Sequence, residues 1–308
     1  MKPINCFIKK IFEEREERVN KTQRMKTSGN YTHFITTDKD RYVLRLNGDG
    51  WRYKTPEEIK SEVKLLKFLC SHSILVPNPI KISNSFVISF GGRNGILYKY
   101  LDAEPVVNPN LYNCFVVGES LAKMHKLTEN FKFPNKRRNW DLEATKETFE
   151  ELKEKFRKNS CLKKHKFAEN IQCVLDELKF PKKLPKCAIH EDLGRRHVLF
   201  KNSEIYGILD FDRSYFGFSV LDLGQAARGW CFDNWIYWNE EKFKFLLMGY
   251  KSQRKLTKLE REYLLDSIKF GILERVIAYG YKFVYTKNEE DVNFAIHSLI
   301  NLIPQVKL

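Results

Sequence analysis

The sequence predicts an α+β protein with two lobes, a small β-rich lobe followed by a larger, mostly helical one. Three observations lead to this prediction. The chain of 308 residues is about two domains long by the usual ~150-residue measure. Short runs of β-branched and aromatic residues dominate before Asp102, and apolar residues at helical spacing dominate after it. We therefore predict a small lobe over residues 1–101 and a large lobe over residues 102–308.

The small lobe is predicted to be an antiparallel sheet with one main helix. Residues 31–37 and 41–46 are rich in β-branched and aromatic side chains and are separated by a turn sequence, so they predict a hairpin. Residues 56–69 predict a helix, because they begin with proline and carry apolar residues at helical spacing. Strand character resumes over residues 85–90 and 95–101.

The large lobe is predicted to be mostly helical. Residues 111–127, 142–158 and 164–180 have helical periodicity, as do most segments beyond Ser219. Residues 187–212 are the exception, because two short apolar strands there flank loops rich in histidine, aspartate and arginine.

The charge of the chain favours anionic partners. There are 54 basic and 39 acidic residues, for a net charge of +15, which suits nucleic acid, acidic lipid or the phosphates of a nucleotide. The densest basic segment, residues 132–166, is interrupted by acidic residues throughout. This pattern is typical of an exposed helix with alternating charges, and no nucleic-acid-binding motif accompanies it. The sequence therefore argues against nucleic acid as the partner.

Composition also bears on the compartment. No stretch approaches the ~18 consecutive apolar residues of a membrane-spanning helix. The short apolar patch at the N-terminus is broken by lysines, unlike a secretory signal. The seven cysteines are scattered without a CxxC pair, which suggests neither a zinc site nor a disulfide framework. We expect a protein of the reducing cytoplasm.

The residues with the clearest chemical meaning lie between 190 and 212. His190-Glu-Asp192-Leu-Gly-Arg-Arg-His197 precedes two short strands, and the second strand leads into Asp210-Phe-Asp212. Phosphoryl transfer requires a carboxylate that accepts or orients the proton of the attacking hydroxyl, and further ligands that hold Mg²⁺ on the phosphates. Magnesium keeps several waters, so one or two carboxylates suffice. A strand–turn–strand hairpin can bring Asp192, His197 and Asp210 into one cleft.

This motif resembles the H-x-D-x-x-x-x-N and D-x-D/G pair of the aminoglycoside phosphotransferase and choline kinase group. These are small-molecule kinases, and the resemblance implies a bilobal protein-kinase-like fold. Within the group, the chain is most similar to the type II homoserine kinases, over residues 28–46, 113–125, 138–140, 228–233 and the tail 249–261. The resemblance implies transfer of the γ-phosphoryl of ATP, or of GTP, to the hydroxyl of a small molecule, with homoserine or a related amino alcohol as the best candidate.

The resemblance places the nucleotide site in the small lobe. It implies a phosphate-binding loop, a cation with its ion-pair partner, and a hinge that receives adenine. The loop is Ser28, Gly29 and Asn30, the ion pair is Arg45 with Glu62, and the hinge contains Tyr98 and Tyr100.

The resemblance also assigns the metal ligands. Asp210 is expected to be the main Mg²⁺ ligand. Asp212 is expected to support a second metal ion or to meet a substrate ammonium group. His197 stands where the family usually has asparagine. An imidazole nitrogen suits Mn²⁺ or Zn²⁺ better than Mg²⁺, so this position is interpreted as a metal ligand, as a sign of an impaired site, or as a purely structural residue.

Asp192 is the expected catalytic base. Arg195 and Arg196 follow it closely, and they are expected either to neutralise the transferring phosphoryl group or to bind a substrate carboxylate through a bidentate fork; the alternative is that they are solvated loop arginines. His190 and Asp222 are expected to be structural, His190 by packing within the loop and Asp222 by bracing it through backbone hydrogen bonds.

Three alternative functions remain at this stage. The Asp210-Phe-Asp-Arg-Ser-Tyr segment suggests a choline or ethanolamine kinase, and aromatic residues interpreted as one helical segment can cage a quaternary ammonium group. These are Trp230, Trp235, Tyr237 and Trp238. His197 suggests an antibiotic phosphotransferase, for aminoglycosides or macrolides, that uses GTP. The third alternative is a non-catalytic nucleotide-binding protein.

The assignment of Asp192 gives a first prediction. A positioned base is worth ~10²–10⁴-fold in rate, so Asp192→Asn should nearly abolish turnover in a steady-state kinase assay. A kcat within a few-fold of the unsubstituted protein would contradict the assignment.

Overall fold

Strands surround a central helix in the first hundred residues of the computed structural model, and helices dominate thereafter. The structure describes residues 4–25, 29–49, 53–132 and 141–307. The strands are β1 (Val19–Arg24), β2 (Tyr31–Thr37), β3 (Arg41–Leu46), β4 (Ile88–Phe90), β5 (Arg93–Lys99), β6 (Glu104–Pro105), β7 (Lys186–Ile189), β8 (Val198–Lys201), β9 (Glu204–Ile208), β10 (Tyr215–Phe218), β11 (Phe232–Asp233) and β12 (Tyr237–Trp238). The helices are α1 (Ile4–Glu13), α2 (Pro56–Ser71), α3 (Leu111–Thr128), α4 (Leu142–Lys158), α5 (Ser160–Lys164), α6 (Phe167–Glu177), α7 (Ser219–Trp230), α8 (Glu240–Gln253), α9 (Lys258–Glu262), α10 (Leu264–Thr286), α11 (Glu289–His297) and α12 (Ile303–Gln305).

The small lobe contains one antiparallel sheet with the strand order β1-β2-β3-β5-β4. Its two faces differ because side chains alternate along each strand. One face carries Ile35, Leu44 and Leu97, which pack into a buried core with Ile8 and Phe12 of α1. The opposite face carries Ile96, which is buried in the core cluster that includes Ile59 of α2. Arg45 and Tyr98, which the sequence assigned to nucleotide binding, lie on the same face.

Two elements of the small lobe were not predicted from the sequence. Helix α1 buries Ile8, Ile11 and Phe12 against the sheet. Strand β1 pairs with β2 at the edge of the sheet, although its sequence VNKTQR is almost entirely polar. A polar composition is common at sheet edges, but it removes the apolar alternation by which strands are recognised. The prediction of a single main helix therefore omitted α1.

Two predictions for the large lobe are wrong in detail. The helix predicted over residues 164–180 is α6, which is shorter; it begins only at Phe167, because Lys166 has a left-handed φ of 47° and separates it from α5. The aromatic segment is not one helix. Trp230 is fully buried at the end of α7, whereas Tyr237 and Trp238 belong to β12, which pairs with β11.

Helices α3 and α8 approach one another so closely that their backbones touch. A Cβ atom on Gly118 would overlap the carbonyl oxygen of Leu246, and one on Gly249 would overlap that of Phe115. Only glycine fits at such positions. This contact holds α3, which carries His125, beneath the loop that follows β7.

Within the described residues, no helix is long and apolar enough to cross a membrane.

The close approach of α3 and α8 predicts that Gly249→Ala is destabilising. The added methyl group meets fixed backbone, so we expect a loss of about 1–3 kcal/mol in the free energy of unfolding, measured by urea denaturation. Gly271→Ala on α10 is the matched control, since its Cβ would meet the side chain of Gln225 at 3.3 Å. Equal effects of the two substitutions would contradict the packing argument.

Candidate active site

A buried carboxylate on α7 holds the loop that follows β7. Asp222 accepts the backbone N–H groups of His190 and Glu191, one on each oxygen and both at 2.7 Å. Glu191 has a φ of 72°, a left-handed conformation that is costly for a residue with a side chain. The two hydrogen bonds stabilise this turn, and the bracing role expected of Asp222 is confirmed.

Asp222 belongs to a buried polar chain across the large lobe. His125 donates from Nε2 to Asp222 at 3.0 Å, and its Nδ1 lies 2.7 Å from the Tyr250 hydroxyl. Tyr250 accepts from Arg254, which is also hydrogen-bonded to Glu260. Burial opposes the charge of Asp222, but the hydrogen bond and charge of His125 keep the pKa of Asp222 below its usual value. The brace therefore remains ionised.

His190 is locked inside the loop. Its Nε2 lies 2.8 Å from the carbonyl oxygen of Leu209, and its Nδ1 lies 3.2 Å from the backbone nitrogen of Asp192. A carbonyl only accepts and a backbone amide only donates, so the ring is neutral with its proton on Nε2. Burial lowers the pKa of His190 in agreement with this state. The structural role expected of His190 is confirmed.

His197 connects the two aspartates that the sequence places far apart. Its Nδ1 lies 2.7 Å from the carbonyl oxygen of Asp192, so Nδ1 carries the proton. Its Nε2 therefore presents a lone pair, and it lies 3.3 Å from Oδ2 of Asp210. Arg196 donates to the same lone pair at 3.0 Å, but its side chain is 59% exposed and can turn away. The structure thus brings residues 192, 197 and 210 into one site.

The charges around Asp210 and Asp212 suit a divalent cation. Burial and the neighbouring Asp212 carboxylate raise the pKa of Asp210. Burial also opposes ionisation of Asp212, but Lys54 and Arg45 hold the pKa of Asp212 well below its usual value. Asp210 has a left-handed φ of 67°, which is a strained conformation of the kind found at functional sites.

The donor set fits a divalent metal ion that is shared with phosphate. An octahedral ion with ligands ~2.1 Å away places neighbouring ligands ~3 Å apart, close to the 3.3 Å between His197 Nε2 and Asp210 Oδ2. No group of three or more potential ligands occurs within the part of the chain that the structure describes. Phosphate oxygens and waters would therefore complete the coordination.

The predicted phosphate cation and its partner lie together on the cleft face of the sheet. Arg45 Nη2 is 2.6 Å from Glu62 on α2, and Nη1 is 3.6 Å from Asp210. Glu62 also lies 3.5 Å from Lys54, which donates to the backbone carbonyl of Asp212. Sequence reasoning missed Lys54, because no regular element marks its position. The site therefore contains two cations where one was predicted.

Within the predicted phosphate loop, Asn30 lies beside this cluster. It donates to the Asp212 carboxylate at 2.9 Å, and Gly29 forms a bend just before β2. Ser28 lies outside the described residues, as do residues 138–140. Asn30 thus joins the start of β2 to the segment that carries Asp210 and Asp212.

The two hinge tyrosines lie on the cleft face. Tyr98 is paired across β3 and β5 with Val43, next to the pair formed by Arg45 and Ile96, so its side chain shares the face of Arg45. Tyr100 follows in the same alternation and contacts the ring of Phe34 edge-on, with centroids 5.0 Å apart. Burial raises the pKa of Tyr98 to about 12, so its hydroxyl remains a donor at neutral pH.

Four arginines surround the carboxylate of Asp192. Arg275 is 2.8 Å from Oδ1 and Arg228 is 3.6 Å from it; Arg196 and Arg213 each lie 3.5 Å from Oδ2. Burial opposes ionisation, but Arg275 and its neighbours hold the pKa of Asp192 well below its usual value. Only Arg196 was predicted. Arg275 carried no sequence signal, since it lies within the long helix α10.

Arg195 does not point to the site as predicted. It is buried and donates to three backbone carbonyl oxygens, those of Val107, Gly229 and Phe232. Its guanidinium group lies 4.2 Å from the ring centre of Trp235. Through these hydrogen bonds Arg195 ties the segment after β6 to the end of α7. It therefore neither contacts a phosphoryl group nor lies in solvent, and both roles expected of it are wrong.

Comparisons with known proteins agree with this geometry. A family model described as "Phosphotransferase enzyme family" matches residues 26–256. A homoserine kinase of Zymomonas mobilis is 29% identical over 264 residues, which cover 83% of this chain and 79% of the relative.

Two solved structures share the fold. An amicoumacin kinase in complex with AMP-PNP and Ca²⁺ has a TM-score of 0.68 at 15% identity, covering 92% of this chain and 90% of that one. A microcompartment-associated aminopropanol kinase has a TM-score of 0.65 at 17% identity, covering 96% and 94%. These similarities confirm the predicted protein-kinase-like fold.

The two backbone hydrogen bonds that Asp222 accepts predict that loss of its carboxylate destabilises the fold. Asp222→Asn replaces one acceptor oxygen by a donor, leaving a buried N–H unsatisfied, so we expect a loss of about 1–3 kcal/mol in the free energy of unfolding. Asp266→Asn on α10 is the control, because burial raises the pKa of Asp266 and disfavours its charge. Denaturant unfolding compares the two. Equal stability of Asp222→Asn and the unsubstituted protein would contradict the brace.

Proposed function

We propose, given that this chain belongs to the phosphotransferase enzyme family, that it phosphorylates homoserine or a closely related amino alcohol. At the coarser level the protein is a small-molecule kinase that transfers a nucleotide phosphoryl group to a hydroxyl group. The proposal for the acceptor is supported by the homoserine kinase relative. We further propose ATP rather than GTP as the donor and Mg²⁺ or Mn²⁺ as the ion.

The observation that carries the proposal is the double contact of His197. One ring nitrogen binds the backbone of Asp192 and the other faces the carboxylate of Asp210, while Arg45 reaches Asp210 from the small lobe. The residues proposed as catalytic carboxylate, metal ligand and phosphate cation therefore lie close together, which supports the proposal. Catalysis of phosphoryl transfer needs mainly this positioning and charge neutralisation.

The residues suggest the following course of reaction. Asp192 accepts a hydrogen bond from the acceptor hydroxyl and orients its oxygen toward the γ-phosphorus. The new oxygen–phosphorus bond forms as the bond to the bridging oxygen breaks, and the nucleoside diphosphate leaves with that electron pair. The hydroxyl proton passes to Asp192 and then to solvent. The lowered pKa of Asp192 makes it a weak base, which suits a loose transition state in which the proton leaves late.

Asp210 and His197 would hold the divalent ion, and Asp212 would complete its charge environment. The bound ion would neutralise charge on the phosphate oxygens. Arg45 stays charged because, although burial opposes its charge, Glu62 and Asp212 raise its pKa. It is therefore placed to neutralise phosphate throughout the reaction.

The structure weakens the choline alternative. A cage for a quaternary ammonium group requires several aromatic faces around one cavity, but Trp230 is fully buried in the core and Trp235 stacks on Arg195. The arginines around Asp192 would also repel a cation. The antibiotic phosphotransferase alternative is supported by the fold shared with the amicoumacin kinase, but at 15% identity that similarity does not identify the acceptor.

A substrate panel tests the proposal. Homoserine, choline, ethanolamine, aminoglycosides and macrolides are assayed with ATP and GTP, each in Mg²⁺ and in Mn²⁺. We expect the highest kcat/KM for homoserine with ATP. A higher kcat/KM for another acceptor would refute homoserine as the substrate but leave the assignment as a kinase intact. Nucleotide binding without turnover of any alcohol, unrelieved by His197→Asn, would identify a non-catalytic protein.

A further inference from the structure

In the part of the chain that the structure describes, the buried arginines around Asp192 have more donors than they have acceptors. Four guanidinium groups lie within 3.6 Å of its carboxylate. Arg196 is 59% exposed and is solvated by water. The other three are largely buried and face three carboxylates among the described residues, those of Asp192, Glu191 and Glu274. A buried guanidinium donor without an acceptor is costly, and an anion that joins the cluster would remove that cost.

The arginines are unequally compensated. Arg213 lies 2.7 Å from Glu191 and 2.9 Å from Glu274, so two carboxylates balance it. Arg228 is hydrogen-bonded at 3.0 Å to the neutral side chain of Gln225, and its nearest carboxylate oxygen, on Asp192, is 3.6 Å away. Burial and the nearby charge of Arg275 lower the pKa of Arg228 to about 10. Arg228 is thus the least compensated cation of the cluster.

Arg275 has unused donor capacity beside Arg228. Its Nε and Nη2 atoms make ionic contacts with Glu274 and Asp192 at 3.2 and 2.8 Å. Within the described residues, however, neither atom has an acceptor in hydrogen-bonding geometry, although both are buried. Arg228 and Arg275 both approach the same oxygen of Asp192, so their guanidinium groups converge at one place next to the base.

We propose that Arg228 and Arg275 form a subsite for a carboxylate group of the acceptor, so that the enzyme selects hydroxy acids, including hydroxy amino acids, over amino alcohols that lack a carboxylate. This inference rests on the proposed kinase function. Paired guanidinium groups bind a carboxylate through directional, charge-assisted hydrogen bonds. An acceptor whose carboxylate lies a few bonds from its hydroxyl would place that hydroxyl at Asp192.

The subsite also changes the environment of the base. In the resting structure Arg275 and Arg228 are directed at Oδ1 of Asp192. A carboxylate that takes up their donors would weaken this hold and leave Oδ1 to the acceptor hydroxyl. An acceptor without the carboxylate would have to compete with two arginines for the same oxygen.

Three acceptors of matched length test the subsite: L-homoserine, 4-hydroxybutyrate, which lacks the ammonium group, and 3-aminopropan-1-ol, which lacks the carboxylate. We expect the unsubstituted enzyme to prefer the two carboxylates. Loss of a charged hydrogen bond costs ~10–100-fold in affinity, so Arg228→Met should raise the KM for L-homoserine by that factor. The decisive quantity is the ratio of kcat/KM for L-homoserine to that for 3-aminopropan-1-ol, which should fall by the same factor, because Arg228 also approaches Oδ1 of Asp192 and its loss acts on both acceptors there. Arg228→Lys, which keeps the charge but loses the fork, should lie between the two.

Arg157→Met is the control, because Arg157 on α4 forms exposed ion pairs with Glu154 of the same helix and with Glu169 of α6. Thermal unfolding of each variant establishes that it is folded. Equal preference of the unsubstituted enzyme for all three acceptors would overturn the subsite. So would a parallel loss of activity on L-homoserine and 3-aminopropan-1-ol in Arg228→Met.

A binding measurement separates the subsite from the proposed function. L-2-Aminobutyrate has the carboxylate but no hydroxyl, so it cannot be phosphorylated. Calorimetry should detect its binding to the unsubstituted protein and a ~10–100-fold weaker affinity in Arg228→Met. If aminobutyrate binds and the substitution weakens its binding, but no alcohol is phosphorylated, the proposed kinase function is refuted and the carboxylate subsite is supported. Turnover of homoserine with unchanged or undetectable aminobutyrate binding would refute the subsite and leave the kinase function intact.

Discussion

The candidate site depends on one interaction, the acceptance of two successive backbone N–H groups by the buried carboxylate of Asp222. These bonds fix the turn at Glu191, and the turn fixes where Asp192 emerges. Because Asp222 is on α7 and is bound to His125 on α3, the position of the loop is set by helix packing in the large lobe. A rigid scaffold of this kind is what precise catalytic geometry requires.

The cleft has two differently charged regions. On the small-lobe side, Arg45 and Lys54 face Asp210, Asp212 and Glu62, so cations and carboxylates are nearly balanced. Around Asp192, in the described part of the chain, arginine donors exceed the acceptors that they reach. The first region suits a metal ion held between protein and phosphate. The second suits an acceptor that brings its own negative charge. The two regions meet at His197, which contacts the segments of both aspartates.

Arg195 shows how the same kind of residue can have opposite roles at adjacent positions. Its guanidinium group is buried and binds three backbone carbonyls, whereas that of Arg196 remains exposed beside Asp192 and His197. The difference arises from the short turn Arg195–His197, which directs successive side chains to different sides. Proximity in sequence to Asp192 therefore did not decide which of the two arginines lies beside its carboxylate.

The sequence by itself determined the order of lobes, the β2–β3 hairpin and the spacing of His190, Asp192 and Asp210, because local propensity and motif spacing are properties of short segments. It also led to the pairing of Arg45 with Glu62 through the family resemblance. Tertiary structure alone decided the rest. Arg275 comes from a helix late in the chain, and Lys54 from an irregular loop, so no local pattern marks them. Strand β1 is polar because it lies at an edge, which is a property of the assembled sheet. Long-range packing brings these groups together, and a side chain's role there is set by neighbours that are distant in sequence.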